Sequence, residues 1–310
     1  MFQRETEATR IDASSLSASG NALNPGQSSG LRLQDGGKIR YVTLRFHPIE
    51  PQPIAGKYVE MSIRQHVKKA LFSAKTLGIP RIMPRIVSIL PHDEKAFTQG
   101  LAWHGGSLYE SPGLATDSSL RRIDPGDGAI VHRQSVPDMW AEGLTILDGK
   151  LVQLTWQNGA ALAYSVDNLE RTGEFAVEGE GWGLTNDGEH FIMSDGSSQI
   201  RFRDAAFEPV RHLSVRYNGL PLKAINDIEF GDGKIFANVL FDDNIYEISP
   251  ETGQVLRLID CSCLRQMADP QGAESVLNGI AFEPDSGYLF ATGKNWRYIF
   301  FLDVSGIPVV

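Results

Sequence analysis

The amino-acid sequence predicts an all-β fold, a five-bladed β-propeller built from four-stranded antiparallel blades. Three observations predict it: a motif that occurs five times from residue 97 onward, turn glycines at a nearly constant interval, and hardly any helical periodicity in the same region. The chain has 310 residues, of which 42% are hydrophobic, so it is long enough to bury a sizeable core.

The first predicted element is an N-terminal extension over residues 1–80. Residues 11–38 are rich in Ser, Gly, Asn and Gln, and we expect them to be disordered. A strand-like piece follows at residues 40–46, and a helix-like segment covers residues 58–76. The chain up to residue 90 contains 13 basic and 6 acidic side chains, whereas the remainder contains 16 basic and 32 acidic ones. This change of charge predicts a domain boundary near residues 85–95.

The propeller is predicted over residues 85–310. Each repeat contains a small residue, an apolar strand, a turn with glycine and a second apolar strand. The turn glycines are 43, 39, 45 and 54 residues apart, close to the ~40–45 residue period of propeller blades. The five repeats are QGLAWHGGSLYES (99–111), EGLTILDGKLVQLTW (142–156), WGLTNDGEHFIMSD (182–195), NDIEFGDGKIFANV (226–239) and NGIAFEPDSGYLFATGK (278–294).

Four strands per blade are expected because a second hairpin follows the repeats, for example at residues 120–133 and 245–259. The fifth unit ends one strand short, after residues 298–304. We expect the strand at residues 85–90, which precedes the first repeat, to pair with the last blade. Such pairing would close the ring and leave no open edge between its ends.

The innermost strands of a propeller line a central channel, so their first residues meet at one mouth. Glutamate is a poor strand residue and is rarely buried unpaired. Glu142, the only carboxylate at this position, is therefore the first candidate for chemistry. The aligned residues are Gln99, Glu142, Trp182, Asn226 and Asn278. A second set, seven residues beyond each turn glycine, is expected to face the same pocket: Gly113, Trp156, Asp195, Leu240 and Lys294.

Each candidate also has a structural interpretation. Glu142 could be an ion-paired channel carboxylate, and Lys294 could be a solvated loop lysine. The two asparagines could cap turns or join strands. The two tryptophans could belong to the core between blades. The agreement of all these residues in register favours a functional pocket.

Other chemistries lack a motif. The seven histidines show no metal-ligand spacing, although Asp242, Asp243 and Asn244 leave a structural calcium site as an alternative to a solvated turn. Cys261 and Cys263 are expected to be reduced thiols. A net charge of −9 argues against nucleic acid as a partner, and no run of about 18 apolar residues predicts a membrane span.

Several short motifs occur in the order found in one enzyme family. They are AFTQGL (96–101), WAEGLTIL (140–147), LTW (154–156), EGWGLT (180–185), LNGIAF (277–282) and ATGKNW (291–296). Over about residues 85–310 the chain resembles the plant- and bacterial-type glutaminyl-peptide cyclotransferases, also called glutamine cyclotransferases. The resemblance implies a five-bladed propeller, in agreement with the repeat count. It also implies that an N-terminal glutamine cyclises to pyroglutamate with release of ammonia.

The resemblance further implies roles for residues of this chain. Glu142 would be the proton shuttle, while Asn226 and Lys294 would hold the carboxamide or its oxyanion. No cofactor is expected, because the animal enzymes that use zinc for this reaction have another fold. The predicted substrate-binding residues are Phe97, Gln99, Trp156, Trp182 and Asn278.

The chain departs from the family at Leu240, where a tryptophan is common, and at Asp227, where Asn-Glu is the more usual pair.

Two other functions remain open: a non-catalytic propeller that binds peptides, and a metal-dependent lactonase-type propeller. The expected partners are peptides or proteins with N-terminal glutamine, and a monomer is expected. Related enzymes are often exported, yet no signal peptide is visible at residue 1, so the sequence leaves the compartment open.

Overall fold

The computed structural model describes residues 29–35, 38–44, 78–114 and 116–306. The chain divides into two units, Met1–Ile63 and Arg64–Val310. The predicted helix-like segment at residues 58–76 lies outside the described residues.

The described part of the first unit is a two-stranded antiparallel sheet. Its strands are β1 (Ser29–Asp35) and β2 (Lys38–Leu44), and Asp35 lies opposite Lys38. The strand at residues 29–35 lies within the segment 11–38, for which the composition predicts disorder. Apolar and polar residues alternate along both strands, and a Gly-Gly pair separates them in the sequence, which together favour a tight hairpin.

Among the described residues of the second unit there are six sheets; five of them are blades, which confirms the predicted fold, and the sixth is a two-stranded hairpin. Two strands precede blade 1: β3 (Arg81–Ile82) and β4 (Arg85–Pro91). Blade 1 contains β5 (Thr98–His104), β6 (Ser107–Pro112), β7 (Ser119–Ile123) and β8 (Ile130–Ser135). Blade 2 contains β9 (Ala141–Leu147), β10 (Lys150–Thr155), β11 (Ala160–Ser165) and β12 (Arg171–Ala176).

Blades 3 to 5 follow the same order from the inside outward. Blade 3 contains β13 (Leu184–Asn186), β14 (Phe191–Ser194), β15 (Gln199–Arg203) and β16 (Pro209–Ser214). A small hairpin of β17 (Arg216–Tyr217) and β18 (Leu220–Pro221) leads to blade 4. Blade 4 contains β19 (Ile225–Gly231), β20 (Lys234–Val239), β21 (Asn244–Ile248) and β22 (Val255–Asp260). Blade 5 contains β23 (Leu277–Glu283), β24 (Tyr288–Gly293) and β25 (Tyr298–Asp303).

The ring closes as predicted, because β4 pairs antiparallel with β25 and becomes the outermost strand of blade 5. The innermost strands β5, β9, β13, β19 and β23 contact one another in that cyclic order, and β23 contacts β5. The pairing of β3 with β22, in parallel, was not predicted.

One short helix interrupts the β-structure. Helix α1 (Ser262–Ala268) lies in the connection between blades 4 and 5. Its presence explains why the last interval between turn glycines is 54 residues, longer than the others. Seven residues are too few for a strong periodic signal, so the sequence did not reveal it.

The core lies between adjacent blades, and the inner strands are buried along nearly their whole length. Between blades 5 and 1, for example, Leu101 and Leu108 pack with Phe290 and Ile299. Each such side chain contributes about 1.5–3 kcal/mol by leaving water. The outermost strands expose most of their residues to solvent, as in β12.

A buried ionic cluster joins the closing strand to blade 1. We call it the seam cluster, and it consists of His92, Asp93, Glu110 and Arg121. His92 Nε2 lies 2.7 Å from Glu110 Oε1, and its Nδ1 lies 2.7 Å from the main-chain oxygen of Trp296 in blade 5. Both ring nitrogens face acceptors, which favours the doubly protonated imidazolium, and Glu110 and the Trp296 carbonyl raise the pKa of His92 against burial. Arg121 Nη1 reaches Asp93 at 3.1 Å and Glu110 at 3.4 Å.

Candidate active site

β-Bulges aim the candidate residues into the channel. In four of the five blades the register between the innermost strand and its neighbour shifts where the candidate residue stands. A bulge adds one unpaired residue and turns its side chain away from the regular alternation. The residues at these shifts are Gln99, Glu142, Asn226 and Asn278.

In four of the five blades a glycine directly follows the residue at the aligned position, and these glycines let the inner strands approach one another closely. A Cβ atom at Gly143 would lie 2.4 Å from the main-chain nitrogen of Leu184, and one at Gly183 would lie 2.2 Å from the main-chain oxygen of Asn226. Neither distance is sterically possible, so glycine is required at both positions. Blade 4 carries Asp227 at this level instead, which breaks the glycine pattern.

Glu142 lies at the centre of the group and is 3% exposed. Gln99 Nε2 donates a hydrogen bond to its Oε1 at 3.0 Å. Burial raises the pKa of Glu142 well above the ordinary carboxyl value, and the charges of Asp227 and Glu180 raise it further, while the Lys294 ammonium opposes both effects. A carboxylate whose pKa is raised is a stronger base than an ordinary glutamate, which suits it to accept a proton.

Lys294 is buried beside Glu142 and is not a solvated loop lysine, because only 4% of it is exposed. Its Nζ lies 4.5 Å from the centroid of the Phe97 ring, where the ring face attracts a cation. Burial lowers the pKa of Lys294 to about 8, and the Glu142 carboxylate opposes that shift. The site therefore contains a cation that titrates within one or two units of neutrality.

Aromatic side chains form a continuous wall around this pair. Phe97 and Trp140 meet edge to face at 6.4 Å between ring centroids, and Trp140 meets Trp156 at 5.4 Å. Trp156 Nε1 and Trp182 Nε1 donate to the same carboxylate oxygen of Glu180, at 3.0 and 3.1 Å. The three predicted wall residues are therefore joined through Trp140 and Glu180. The sequence analysis did not single out either of these two residues.

The two asparagines are used differently. Asn226 is 2% exposed, and its main-chain oxygen accepts a hydrogen bond from Ser194 Oγ at 2.6 Å. Binding of the carboxamide by its side chain stays a prediction. The amide of Asn278 is occupied by main-chain groups of neighbouring blades. Substrate binding by Asn278 stays a prediction, and these bonds do not favour it.

Three residues next to the candidates were missed: Trp140, Glu180 and Asp227. Signals for them existed in the sequence. Trp140 stands two residues before Glu142, Glu180 stands two before Trp182, and Asp227 alone replaces glycine after an aligned position. Their contacts, however, join residues that are far apart along the chain, and no pattern in the sequence shows these contacts.

The remaining candidates lie elsewhere. Asp195 forms an ion pair with Arg201 at 2.7 Å, and Leu240 is buried with its main-chain nitrogen bonded to Ala224. Asp242 accepts hydrogen bonds from the main chain and the amide of Asn244. Within the described part of the chain no three His, Cys, Asp or Glu side chains are grouped to hold a metal ion. No helix in that part is long and apolar enough to cross a bilayer.

Comparisons with known proteins agree with this geometry. The family profile described as glutamine cyclotransferase matches residues 59–304. Glutaminyl-peptide cyclotransferase of Arabidopsis thaliana is 36% identical over 222 residues, which cover 69% of this chain and 69% of that protein. The crystal structure of Myxococcus xanthus glutaminyl cyclase superposes with a TM-score of 0.69 at 35% identity, covering 73% of this chain and 98% of that one.

Proposed function

The chain belongs to the glutamine cyclotransferase family, and we propose that Glu142 moves the protons of the family's reaction at this site. The activity is that of a glutaminyl-peptide cyclotransferase, which converts an N-terminal glutamine to pyroglutamate and releases ammonia. Peptides with N-terminal glutamine are the substrates. A non-catalytic peptide-binding propeller is not favoured.

The reaction makes one carbon–nitrogen bond and breaks another. The neutral α-amine of the substrate attacks the carbon of its own γ-carboxamide, and a five-membered lactam closes. Of the two amine protons, one stays on the lactam nitrogen. The other passes to Glu142 and then to the departing NH₂ group, which leaves as NH₃. Glu142 begins and ends the cycle as a carboxylate.

The observation that carries this proposal is the state of Glu142 itself. An ordinary carboxylate is too weak a base to take a proton from an amine adduct, but the raised pKa of Glu142 reduces that mismatch. Gln99 occupies Oε1, so Oε2 is the oxygen that faces the substrate nitrogens. One fixed carboxylate can then serve as base and as acid without moving far.

Lys294 and Asn226 are proposed to stabilise the oxyanion that forms on the carboxamide oxygen. The positive charge of Lys294 acts on Glu142 and lowers its pKa against the effect of burial. In a buried site the attraction between such a cation and a developing oxyanion is much stronger than in water. The wall of Phe97, Trp156 and Trp182 would exclude water and so preserve that strength.

We further propose that the reaction needs no metal. The chemistry just described takes its base from Glu142 and its positive charge from Lys294. No step is left for a Lewis acid to perform. A monomeric enzyme and a metal-free fold are part of the same proposal, and the hydrogen bonds within the Asp242 turn support a turn without calcium.

The test is ammonia release from a peptide that begins with glutamine, measured with and without a chelator. We expect chelator-resistant turnover by the wild-type enzyme and a loss of about 10²–10⁴-fold in kcat/KM for Glu142→Gln. Glu229→Gln is the matched control, because Glu229 is another buried carboxylate of an innermost strand, bonded instead to Phe282 and Thr185. Retained turnover in Glu142→Gln would falsify the shuttle, and loss of turnover on chelation would contradict metal independence.

A further inference from the structure

Asn278 joins three blades through its side-chain amide. Its Nδ2 donates to the main-chain oxygens of Thr98 at 2.9 Å and Gln99 at 3.1 Å, both in blade 1. Its Oδ1 accepts the main-chain N–H of Asp227, in blade 4, at 3.3 Å. Asn278 itself belongs to blade 5 and is fully buried. Both N–H groups of the amide and one acceptor site of its oxygen are thus bonded to the main chain of neighbouring blades.

The position of these bonds matters for Glu142. Gln99 stands on a bulge, where the ladder between β5 and β6 is interrupted, so the carbonyl groups there need another partner. Asn278 supplies that partner. The side chain of the same Gln99 then donates to Glu142 Oε1. A continuous series of hydrogen bonds therefore runs from Asp227 through Asn278 and Gln99 to the proposed shuttle.

We propose that Asn278 is a positioning residue that acts on Glu142 through Gln99. This inference rests on the proposed function of Glu142. By fixing the main chain of Gln99, Asn278 keeps Nε2 of Gln99 on one carboxylate oxygen of Glu142. The other oxygen then stays directed at the substrate nitrogens. The role differs from the substrate contact predicted for Asn278 from the sequence.

The expected consequence is a loss of rate with little loss of binding. A misplacement of a reacting group by about 1 Å can cost about 100-fold in rate. We therefore expect Asn278→Ala to lower kcat by about 10- to 100-fold and to change KM by less than about threefold. A substrate-binding residue would raise KM instead.

A double-mutant cycle with Gln99→Ala tests the route of the effect. If Asn278 acts through Gln99, the double variant loses no more kcat than Gln99→Ala alone, because the group that Asn278 positions is already absent. Independent roles predict that the two losses multiply. A cycle in which they multiply overturns the proposal, even if Glu142→Gln is inactive and the proposed function stands.

Asn238→Ala is the matched control. Asn238 is also fully buried, and its Oδ1 accepts the main-chain N–H of Gly279 at 3.0 Å, one residue from Asn278, but it has no bond to Gln99. Asn238→Ala should lower the stability of the protein. Any loss of kcat that it causes should multiply fully with the loss caused by Gln99→Ala. Cooperative urea unfolding of each variant shows that it is folded. Should Asn278→Ala fail to fold, Asn278→Ser replaces it in the cycle. Failure of both variants to fold overturns the proposal, since Asn278 would then be required for folding itself.

Discussion

Two buried carboxylates of this ring have opposite pKa shifts. Glu142 lies in the channel and Glu110 lies in the seam cluster, and neither is more than 3% exposed. The pKa of Glu142 is raised well above its ordinary value by burial. Burial also opposes the charge of Glu110, yet His92 and Arg121 hold the pKa of Glu110 below its ordinary value. Because both side chains are buried, their partners decide the direction in which each pKa is shifted.

The number and charge of the donors explain the difference. Glu110 accepts from His92 and from Thr98 Oγ1, each at 2.7 Å, and lies 3.4 Å from Arg121. Glu142 accepts one hydrogen bond from a neutral amide. A fully paired carboxylate joins two ends of the ring, whereas an incompletely paired one remains able to exchange protons. A buried carboxylate with few hydrogen-bond donors is therefore the better candidate for a catalytic residue than one whose oxygens are fully paired.

The seam cluster should be more sensitive to loss of charge than any other place in the ring. We expect Glu110→Gln to lower the free energy of unfolding by about 3–5 kcal/mol, because it leaves the charge of His92 buried without its anion and leaves Arg121 with Asp93 alone. Urea unfolding measures the change. Glu229→Gln is the control and should cost about 1–3 kcal/mol, less than Glu110→Gln, because it removes one acceptor of a buried hydrogen bond but leaves no cation without its anion.

The stability that the seam cluster contributes should also depend on pH. The Glu110 contribution is present above its unfolded pKa and lost as pH falls through its lower folded value. The pKa of His92 is raised, since Glu110 and the Trp296 carbonyl outweigh burial, so its contribution is complete below its unfolded value and lost as pH rises through the folded one. If Glu110→Gln were as stable as the wild-type protein, the ionised Glu110 would not stabilise the ring, and the proposed difference in role between Glu110 and Glu142 would be wrong.

The channel should show its own titration through Lys294. Arginine stays charged throughout the accessible range, so the ratio of wild-type kcat/KM to that of Lys294→Arg should fall as pH rises through about 8, by about tenfold per unit above it. The ratio cancels the titration of the substrate amine. Lys150→Arg, at an exposed position, should give a flat ratio. A flat ratio for Lys294→Arg between pH 7 and 10 would show that the charge of Lys294 is not used.

Much of the ring was predictable because a propeller repeats. The interval between turn glycines revealed the blades, and the missing fifth-blade strand revealed the closing strand β4. Glu142 and Lys294 followed from shared register. The residues that hold them did not follow, because bulges change side-chain direction locally, and because Asn278 bonds to a residue 180 positions away. Register along one strand carries no information about such partners.

The central claim is that the pKa values of the two buried glutamates are shifted in opposite directions although both side chains are almost fully buried. The direct measurement is a ¹³C NMR titration of the labelled glutamate carboxyl carbons, with the two signals assigned from Glu142→Gln and Glu110→Gln. We predict that Glu142 titrates above 4.5, the ordinary glutamate pKa, and Glu110 below it. Equal pKa values, or the reverse order, would contradict the account.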